Sequence, residues 1–212
     1  MYKNILFDFD GTVFDTVEGI AKSVQYALNK HGLDAPLEAL RCFAGPPLNE
    51  KYIEVFHVSP ELADIMVWDF RERYQPIGIY ESKPFPKIEW LLTELSASGK
   101  KLAITTLKPL FMAEELLNRS GIMRYFDLVR GNGEEEGKYT KSQIIRSAME
   151  QLHAAPEETI LIGDTKYDIL GAHEAGIKAV GVRYGYAAEG ELKAAGADYI
   201  LDTIEDVREF LR

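Results

Sequence analysis

Short apolar runs alternate in this chain with amphipathic stretches of helical period, and this alternation limits its fold more than any other feature. We expect strands at residues 5–7, 102–105, 126–129, 159–162, 179–182 and 199–201. Most of these runs are apolar without alternation, as in strands that helices cover on both faces. Helical spacing predicts helices at 111–118, 141–152 and 168–175, and another from Thr203 onwards. The succession predicts right-handed crossovers and an α/β fold with a doubly wound parallel sheet.

One region interrupts the alternation, because residues 15–80 contain helical patterns and no convincing strand. Ile20, Val24, Ala27 and Leu28 form one apolar stripe, and residues 61–73 form a second helix. We therefore predict a small helical cap domain at 15–80, inserted after the first strand. The α/β catalytic core would comprise 1–14 and 81–212.

Length, charge and cysteine content exclude several classes of protein. A chain of 212 residues can bury one good core and a smaller appendage, and no apolar run approaches the roughly 20 residues that cross a bilayer. A single cysteine, Cys42, cannot form an internal disulfide bond, which fits a reducing compartment, so we expect a cytoplasmic protein. Because no apolar run is long enough to cross a bilayer, we also expect no membrane as a partner. The net charge of −10 argues against a nucleic-acid polymer as partner. It leaves a small phosphorylated substrate open, because a bound cation can reverse the local field.

Two aspartates follow the first expected strand directly. Asp8 and Asp10 therefore lie at the carboxyl end of that strand, where open α/β sheets bind their ligands. Two like charges so close together are costly unless a cation or a shared proton relieves them, and Mg²⁺ prefers oxygen ligands. Gly11 allows the backbone to turn tightly beside an anion. Taken alone, the pair fits a surface turn nearly as well as a metal site.

A second acidic pair shifts the balance towards a site. Asp164 also follows an apolar strand, so a parallel sheet would bring it to the same edge as Asp8. Asp168, four residues later, is expected to begin the next helix, where it could face the cation, cap the helix, or do both. Thr106 follows another strand, and Lys141 opens the helix at 141–152, with Lys138 three residues before it. Each of these last three residues is a weak signal by itself.

Four ordered motifs together resemble the haloacid dehalogenase superfamily, in its phosphoglycolate phosphatase-like branch with a helical cap. They are Asp8-Phe9-Asp10-Gly11-Thr12, Thr106, Lys141, and Gly163-Asp164 with Asp168. The resemblance covers essentially the whole chain. The segment Tyr184-Gly185-Tyr186 also resembles the last part of such phosphatases.

The resemblance implies a role for each motif residue. Asp8 would attack phosphorus and form an aspartyl-phosphate, while Asp10 would act as general acid and then as general base. Mg²⁺ would be held by Asp8, the backbone carbonyl of Asp10, and Asp164, with Asp168 binding directly or through water. The phosphate-binding residues would be Gly11, Thr106, Leu107 and Lys141. Relatives often carry a small or polar residue where this chain has Leu107, which leaves its backbone amide as the contact. Lys138 competes with Lys141, which is preferred because it directly precedes the helical stripe.

Specificity is expected in the helical insertion. Gly45 and Pro46, followed by Pro47 and Leu48, resemble a cap loop that faces the active site in this branch. Arg41, Glu50 and Lys51 flank this loop and could reach the distal end of a substrate. The alternative interpretation is a rigid interhelical turn with solvated charges around it.

Several alternative functions remain to be weighed against a phosphatase. Asp10 supplies the acid/base group that a dehalogenase lacks. Ile20 stands where β-phosphoglucomutases carry a cap-linker histidine, and Leu48 where phosphonoacetaldehyde hydrolases carry a lysine. A receiver domain fits less well, because it is phosphorylated on an aspartate after a middle strand, whereas Asp8 follows the first strand and the helical insertion has no place in a receiver. A catalytically silent binding module also fits less well, since Asp8, Asp10 and Asp164 are all retained. We therefore expect hydrolysis of a small phosphorylated, phosphoglycolate-like metabolite by a monomer or weak dimer, with pyrophosphate or a 5′-nucleotide as alternative substrates.

Overall fold

The computed structural model describes residues 2–133 and 139–212. The strands are β1 Asn4–Phe7, β2 Phe14–Asp15, β3 Lys83–Pro84, β4 Lys101–Pro109, β5 Leu128–Asn132, β6 Thr159–Gly163, β7 Lys178–Val182 and β8 Tyr199–Leu201. The α-helices are α1 Val17–Lys30, α2 Leu48–Phe56, α3 Pro60–Tyr74, α4 Ile88–Ala97, α5 Leu110–Ser120, α6 Lys141–Leu152, α7 Lys166–Ala175, α8 Glu191–Ala194 and α9 Ile204–Leu211. Short 3-10 segments lie at Leu37–Phe43, Gly78–Tyr80, Met123–Tyr125 and Pro156–Glu158.

Six of these strands form one parallel sheet in the order β5-β4-β1-β6-β7-β8. The chain runs outwards from β1 to β5 on one side and then returns to build β6, β7 and β8 on the other. The strand order therefore reverses beside β1, which creates a crevice at the carboxyl ends of β1 and β6. This arrangement confirms the predicted doubly wound sheet.

The central strands are buried on both faces, as their unbroken apolar runs predicted. Every residue at positions 5–7, 102–104 and 160–162 has zero solvent exposure. On one face, Leu6, Ala103 and Leu161 pack with α6 and α7 residues that include Ile145 and Ile169. Burial on both faces suits a parallel sheet, because the crossover helices cover it.

Three predicted element bounds were wrong in ways that concern the site. Strand β4 continues past residue 105 to Pro109, with an irregular register between Thr105 and Pro109, so Thr106 lies within it. Strand β5 begins at Leu128, two residues late, because the Asp127 side chain accepts a hydrogen bond from the Leu102 amide. Helix α7 begins at Lys166 with Thr165 as its N-cap, two residues before Asp168.

Helix α6 has the predicted bounds, and its start is fixed by a capping box. The Thr140 hydroxyl accepts a hydrogen bond from the Gln143 amide at 3.3 Å, and the Gln143 side chain accepts one from the Thr140 amide at 2.9 Å. Reciprocal bonds of this kind satisfy two amides that the first helical turn leaves without partners. They fix Lys141 as the first residue of the helix.

The chain divides into two compact units, residues 1–14 with 84–212, and residues 15–83. The second unit ends three residues beyond the predicted position 80. The short strands β2 and β3, which pair with each other, lie at the two points where the chain passes from one unit to the other. The helical unit has its own buried core, in which Leu28, Leu40 and Met66 have zero exposure. Across the residues that the structure describes, none of the helices has the length and apolar character needed to cross a membrane.

Candidate active site

The sheet register brings three predicted site residues to one edge. Phe7 of β1 is paired with Ile104 of β4 on one side and with Ile162 of β6 on the other. Asp8 is therefore one residue, and Thr106 and Asp164 are two residues, beyond this common level. The Asp8 amide also donates a hydrogen bond to the carbonyl of Ile162 at 2.8 Å, so the backbone beside β6 is fixed up to this residue.

Lys141 lies between two of the aspartates. Its ammonium nitrogen is 2.5 Å from Asp8 Oδ1, 2.7 Å from Asp168 Oδ1 and 2.6 Å from the carbonyl oxygen of Thr105. Only 5% of the side chain is exposed. The three protons of a lysine ammonium can thus each face one acceptor. The competing candidate Lys138 lies outside the described residues.

Asp164 is completely buried and is oriented by two donors. Its Oδ1 accepts a hydrogen bond from the Thr12 hydroxyl at 3.1 Å, and its Oδ2 accepts one from the Tyr186 amide at 2.8 Å. Burial, together with the negative charges of Asp168 and Asp8, raises the pKa of Asp164 above its usual range. The contact with Tyr186 had no specific signal in the sequence, because a backbone amide can belong to any residue.

Asp168 orders the segment between β6 and α7. Its Oδ2 accepts hydrogen bonds from the amides of Asp164 and Thr165 at 3.1 and 2.9 Å, and from the Thr165 hydroxyl at 2.9 Å. Its other oxygen pairs with Lys141. Asp168 is therefore the third residue of the helix, and its carboxylate reaches back over the cap instead of occupying the N-cap position.

Burial and charge shift the protonation of this cluster. Burial raises the pKa of Asp8 to about 7; Lys141 opposes this change, and the charges of Asp168 and Asp10 add to it. Burial alone would lower the pKa of Lys141, but Asp168 and Asp8 outweigh it and hold the pKa above its usual range. Lys141 is therefore charged at neutral pH, whereas Asp8 and Asp164 need further positive charge to ionise fully.

The donor set fits a hard divalent cation. Asp8, Asp164 and Asp168 each offer a carboxylate oxygen, and these oxygens lie within 4.8 Å of one another. Among the residues that the structure describes, these three and Asp10 make four carboxylates, against which Lys141 and Lys108 supply two positive charges. One divalent ion would neutralise the remainder, and Mg²⁺ takes such oxygen ligands. Because Oδ2 of Asp168 already accepts three hydrogen bonds and its Oδ1 pairs with the Lys141 ammonium group, contact through water suits this residue best. Each oxygen of Asp164, in contrast, accepts one hydrogen bond from the described part of the chain and has a second lone pair.

Asp10 contacts a different lysine, which sequence reasoning missed. Lys108 Nζ lies 3.0 Å from Asp10 Oδ1 and 3.4 Å from Oδ2. The signal available in the sequence was a second lysine two residues after Thr106. Its direction could not be predicted, because it depends on the irregular end of β4. Asp8 and Asp10 are therefore bound by separate ammonium groups.

The remaining predicted phosphate-binding residues surround this centre. Thr106 is buried, and its hydroxyl accepts a hydrogen bond from the Lys108 amide at 3.1 Å. Leu107 is half-buried, and its carbonyl accepts a hydrogen bond from the Asn132 side chain at 3.3 Å. Gly11 has φ +87°, and a Cβ atom there would collide with the carboxylate of Asp164. Only glycine fits this turn without strain.

The predicted specificity residues belong to the helical unit. Arg41 lies in the segment Leu37–Phe43, with an exposed side chain 3.6 Å from Glu38. Gly45 has φ +104°, and Pro46 is half-buried in the turn before α2. Lys51 pairs with Glu54 at 3.0 Å, and Glu50 is exposed. Contact of these residues with a substrate stays a prediction.

Comparison with known proteins gives a consistent family. Residues 5–182 match the family model described as haloacid dehalogenase-like hydrolase. A 5′-nucleotidase of Pseudomonas aeruginosa is 35% identical over 211 residues, which cover 99% of this chain and 96% of that protein. A phosphoglycolate phosphatase of Vibrio vulnificus is 30% identical over 211 residues, covering 95% of this chain and 92% of its own length.

A solved structure agrees with the fold along the whole chain. The crystal structure of a predicted phosphatase from Clostridium acetobutylicum superimposes with a TM-score of 0.93 at 35% sequence identity. The match covers 100% of this chain and 98% of that one. Both units of the present chain therefore have counterparts in that protein.

Proposed function

The chain belongs to the haloacid dehalogenase-like hydrolase family and is a phosphatase of that family; on this premise we propose that it hydrolyses a small phosphate monoester through a phosphorylated Asp8, with Mg²⁺. The observation that carries this proposal is the separation of the two aspartates. Asp8 is bound by Lys141, whereas Asp10, two residues later, is bound by Lys108. One carboxylate can attack phosphorus while the other handles protons.

In the first step, a carboxylate oxygen of Asp8 attacks phosphorus and a new oxygen–phosphorus bond forms. The bond from phosphorus to the ester oxygen breaks, and that oxygen takes a proton from the Asp10 carboxyl group. The ammonium group of Lys141 stabilises the charge on the transferring phosphoryl group, since a fixed positive charge acts strongly in a buried site. The Thr106 hydroxyl and the Leu107 amide would position its oxygens.

In the second step, a water molecule attacks phosphorus in the aspartyl-phosphate. The Asp10 carboxylate accepts a proton from this water as the bond between phosphorus and Asp8 breaks. Inorganic phosphate leaves, and Asp10 is again protonated for the next cycle. Dividing the reaction into two displacements replaces one difficult step by two easier ones.

Asp8, Asp164 and the backbone carbonyl of Asp10 would hold Mg²⁺, with Asp168 bound through water. When bound, the ion supplies positive charge that holds these carboxylates ionised and orients the phosphoryl group. Thr12 and the Tyr186 amide support this role, because they fix both oxygens of Asp164.

Two substrate classes are proposed for testing. The motif resemblance favours a small phosphorylated, phosphoglycolate-like metabolite. The similarity to a 5′-nucleotidase, at 35% identity over nearly the whole of both chains, favours a nucleoside 5′-monophosphate. Both are monoesters, so the same chemistry at Asp8 and Asp10 serves either one.

A panel of phosphate compounds tests the proposal. Purified protein would be assayed with phosphoglycolate, nucleoside 5′-monophosphates, pyrophosphate and 4-nitrophenyl phosphate, in Mg²⁺ and in EDTA. We expect turnover of at least one monoester in Mg²⁺ and its loss in EDTA. Asp8→Asn should abolish activity, and Asp202→Asn, at an exposed aspartate paired with Arg183, should retain it. Absence of turnover across the panel would contradict the proposal.

A further inference from the structure

Lys108 is a buried lysine whose ammonium group contacts the carboxylate of Asp10. Its ammonium nitrogen contacts both oxygens of Asp10, at 3.0 and 3.4 Å, and only 5% of its side chain is exposed. The Asp10 side chain is 17% exposed, so it is partly open to solvent. Lysine is rarely buried unless it is paired, which makes this contact a feature that needs an explanation.

Contacts of both its backbone and its side chain restrict the position of Lys108. Its amide donates a hydrogen bond to the Thr106 hydroxyl at 3.1 Å, and Pro109 follows with a restricted backbone. Its ammonium group lies 5.7 Å from the centre of the Phe9 ring, within the range of a cation–π interaction. Phe9 is itself fully buried and stacked on Phe14. The ammonium group is thus fixed by the same turn that carries Asp10.

The two buried lysines divide the aspartates between them. Lys141 contacts Asp8 and Asp168, and Lys108 contacts Asp10. A group that transfers protons must be held within hydrogen-bond reach of the reacting oxygen, and a displacement of about 1 Å can cost about 10²-fold in rate. The ion pair with Lys108 restricts Asp10 in this way without occupying the nucleophile.

We infer that Lys108 is a positioning residue, which holds the Asp10 carboxyl group in place for both proton transfers of the reaction. This inference rests on the proposed function. In the first step Asp10 gives a proton to the leaving oxygen, and in the second it accepts one from water. Loss of Lys108 therefore impairs protonation of a poor leaving group and, separately, activation of water.

Esters with different leaving groups provide the test. An alkoxide needs a proton to leave, whereas 4-nitrophenolate leaves without one. Measured as kcat/KM, which reports only steps up to phosphorylation of the enzyme, Lys108→Met should lower hydrolysis of an alkyl phosphate by about 10²-fold. The loss with 4-nitrophenyl phosphate should be much smaller. This variant should also release a burst of 4-nitrophenol, because hydrolysis of the aspartyl-phosphate becomes the slow step.

Further variants separate positioning from a structural role. In an Asp10→Asn background, Lys108→Met should have little additional effect on the alkyl ester, because the group that it positions is already gone. Lys108→Arg, which keeps a charged donor, should recover part of the activity, and it provides the readout if the methionine variant fails to fold. Equal losses with both esters, persisting in the Asp10→Asn background, would overturn the inference and would indicate contact with the phosphoryl group. The alkyl phosphate is one that the panel shows to be a substrate, and inactivity of the unmodified protein on every monoester of the panel would contradict the proposed function itself.

Discussion

Replacing Lys141 with methionine removes the positive charge that Asp8, Asp168 and the Thr105 carbonyl share. Methionine is unbranched and apolar, so it can fill the space of the lysine stem while lacking its charge. The three acceptors lie 2.5 to 2.7 Å from the lysine nitrogen in the unmodified protein. The variant leaves two buried carboxylates and one carbonyl without this donor.

The size of the effect follows from burial of the pair. Removing one partner of a buried ion pair costs about 3–5 kcal/mol, because the remaining charge stays desolvated. A chain of this length loses about 2–4 °C in Tm per kcal/mol, so we expect Tm to fall by roughly 10 °C in EDTA. Loss of a group that stabilises transition-state charge should lower kcat by about 10²–10³-fold.

Thermal unfolding and steady-state kinetics measure the two effects separately. Mg²⁺ should narrow the difference in Tm between Lys141→Met and the unmodified protein, because the cation supplies charge to the same carboxylates and binds the folded state. Lys193→Met, at an exposed lysine on α8, is the matched control and should change neither quantity.

Two outcomes would refute this reasoning. An unchanged Tm in EDTA would mean that Lys141 does not neutralise the buried carboxylates. An unchanged kcat in a folded Lys141→Met protein would mean that this ammonium group does not act on the transferring phosphoryl group. In the second case Lys138, the other lysine considered, would be the next residue to replace.

Two further predictions concern the same cluster. Gly171→Ala should lower both Tm and kcat, because the new Cβ would lie 2.6 Å from Cγ of Lys141. This loss is expected although alanine is the better helix former by about 1 kcal/mol. Unchanged kinetics would show that Lys141 tolerates displacement. Because burial raises the pKa of Asp8 to about 7, the folded protein without Mg²⁺ should lose stability as pH rises from the unfolded-state pKa of 3.8 to about 7. Because Mg²⁺ binds the ionised carboxylates, the rise in Tm that Mg²⁺ causes should be larger near pH 8 than near pH 5.5. Differential scanning fluorimetry can measure this rise, and an equal rise at both pH values would contradict the prediction.

Strand positions in the sequence were sufficient to bring Asp8 and Asp164 to one edge of the sheet, and the family resemblance added Lys141 to that site. Each follows or begins an element whose apolar pattern is unambiguous, and the register of a parallel sheet then determines where strand ends meet. The capping box at Thr140 likewise places Lys141 at the start of α6. Local chemistry and sheet topology agree at these positions, and such agreement makes a prediction reliable.

Other parts of the site depend on geometry that has no sequence pattern. The direction of Lys108 follows from the irregular register at the end of β4, and the donor to Asp164 is the backbone amide of Tyr186. The role of Asp168 could be predicted only in part. An aspartate near a helix start can cap the helix. The three hydrogen bonds that Oδ2 of Asp168 accepts, however, can be predicted only when the conformation of the turn after β6 is known.

Trapping the phosphorylated protein tests the central claim most directly. The enzyme would be mixed with a substrate that the panel identifies, quenched in acid during a single turnover, digested, and mapped by mass spectrometry. The account predicts one added phosphoryl group on Asp8, formed no more slowly than the product and absent from Asp8→Asn. Product formation without a phosphorylated peptide, or a phosphoryl group on any other residue, would contradict it.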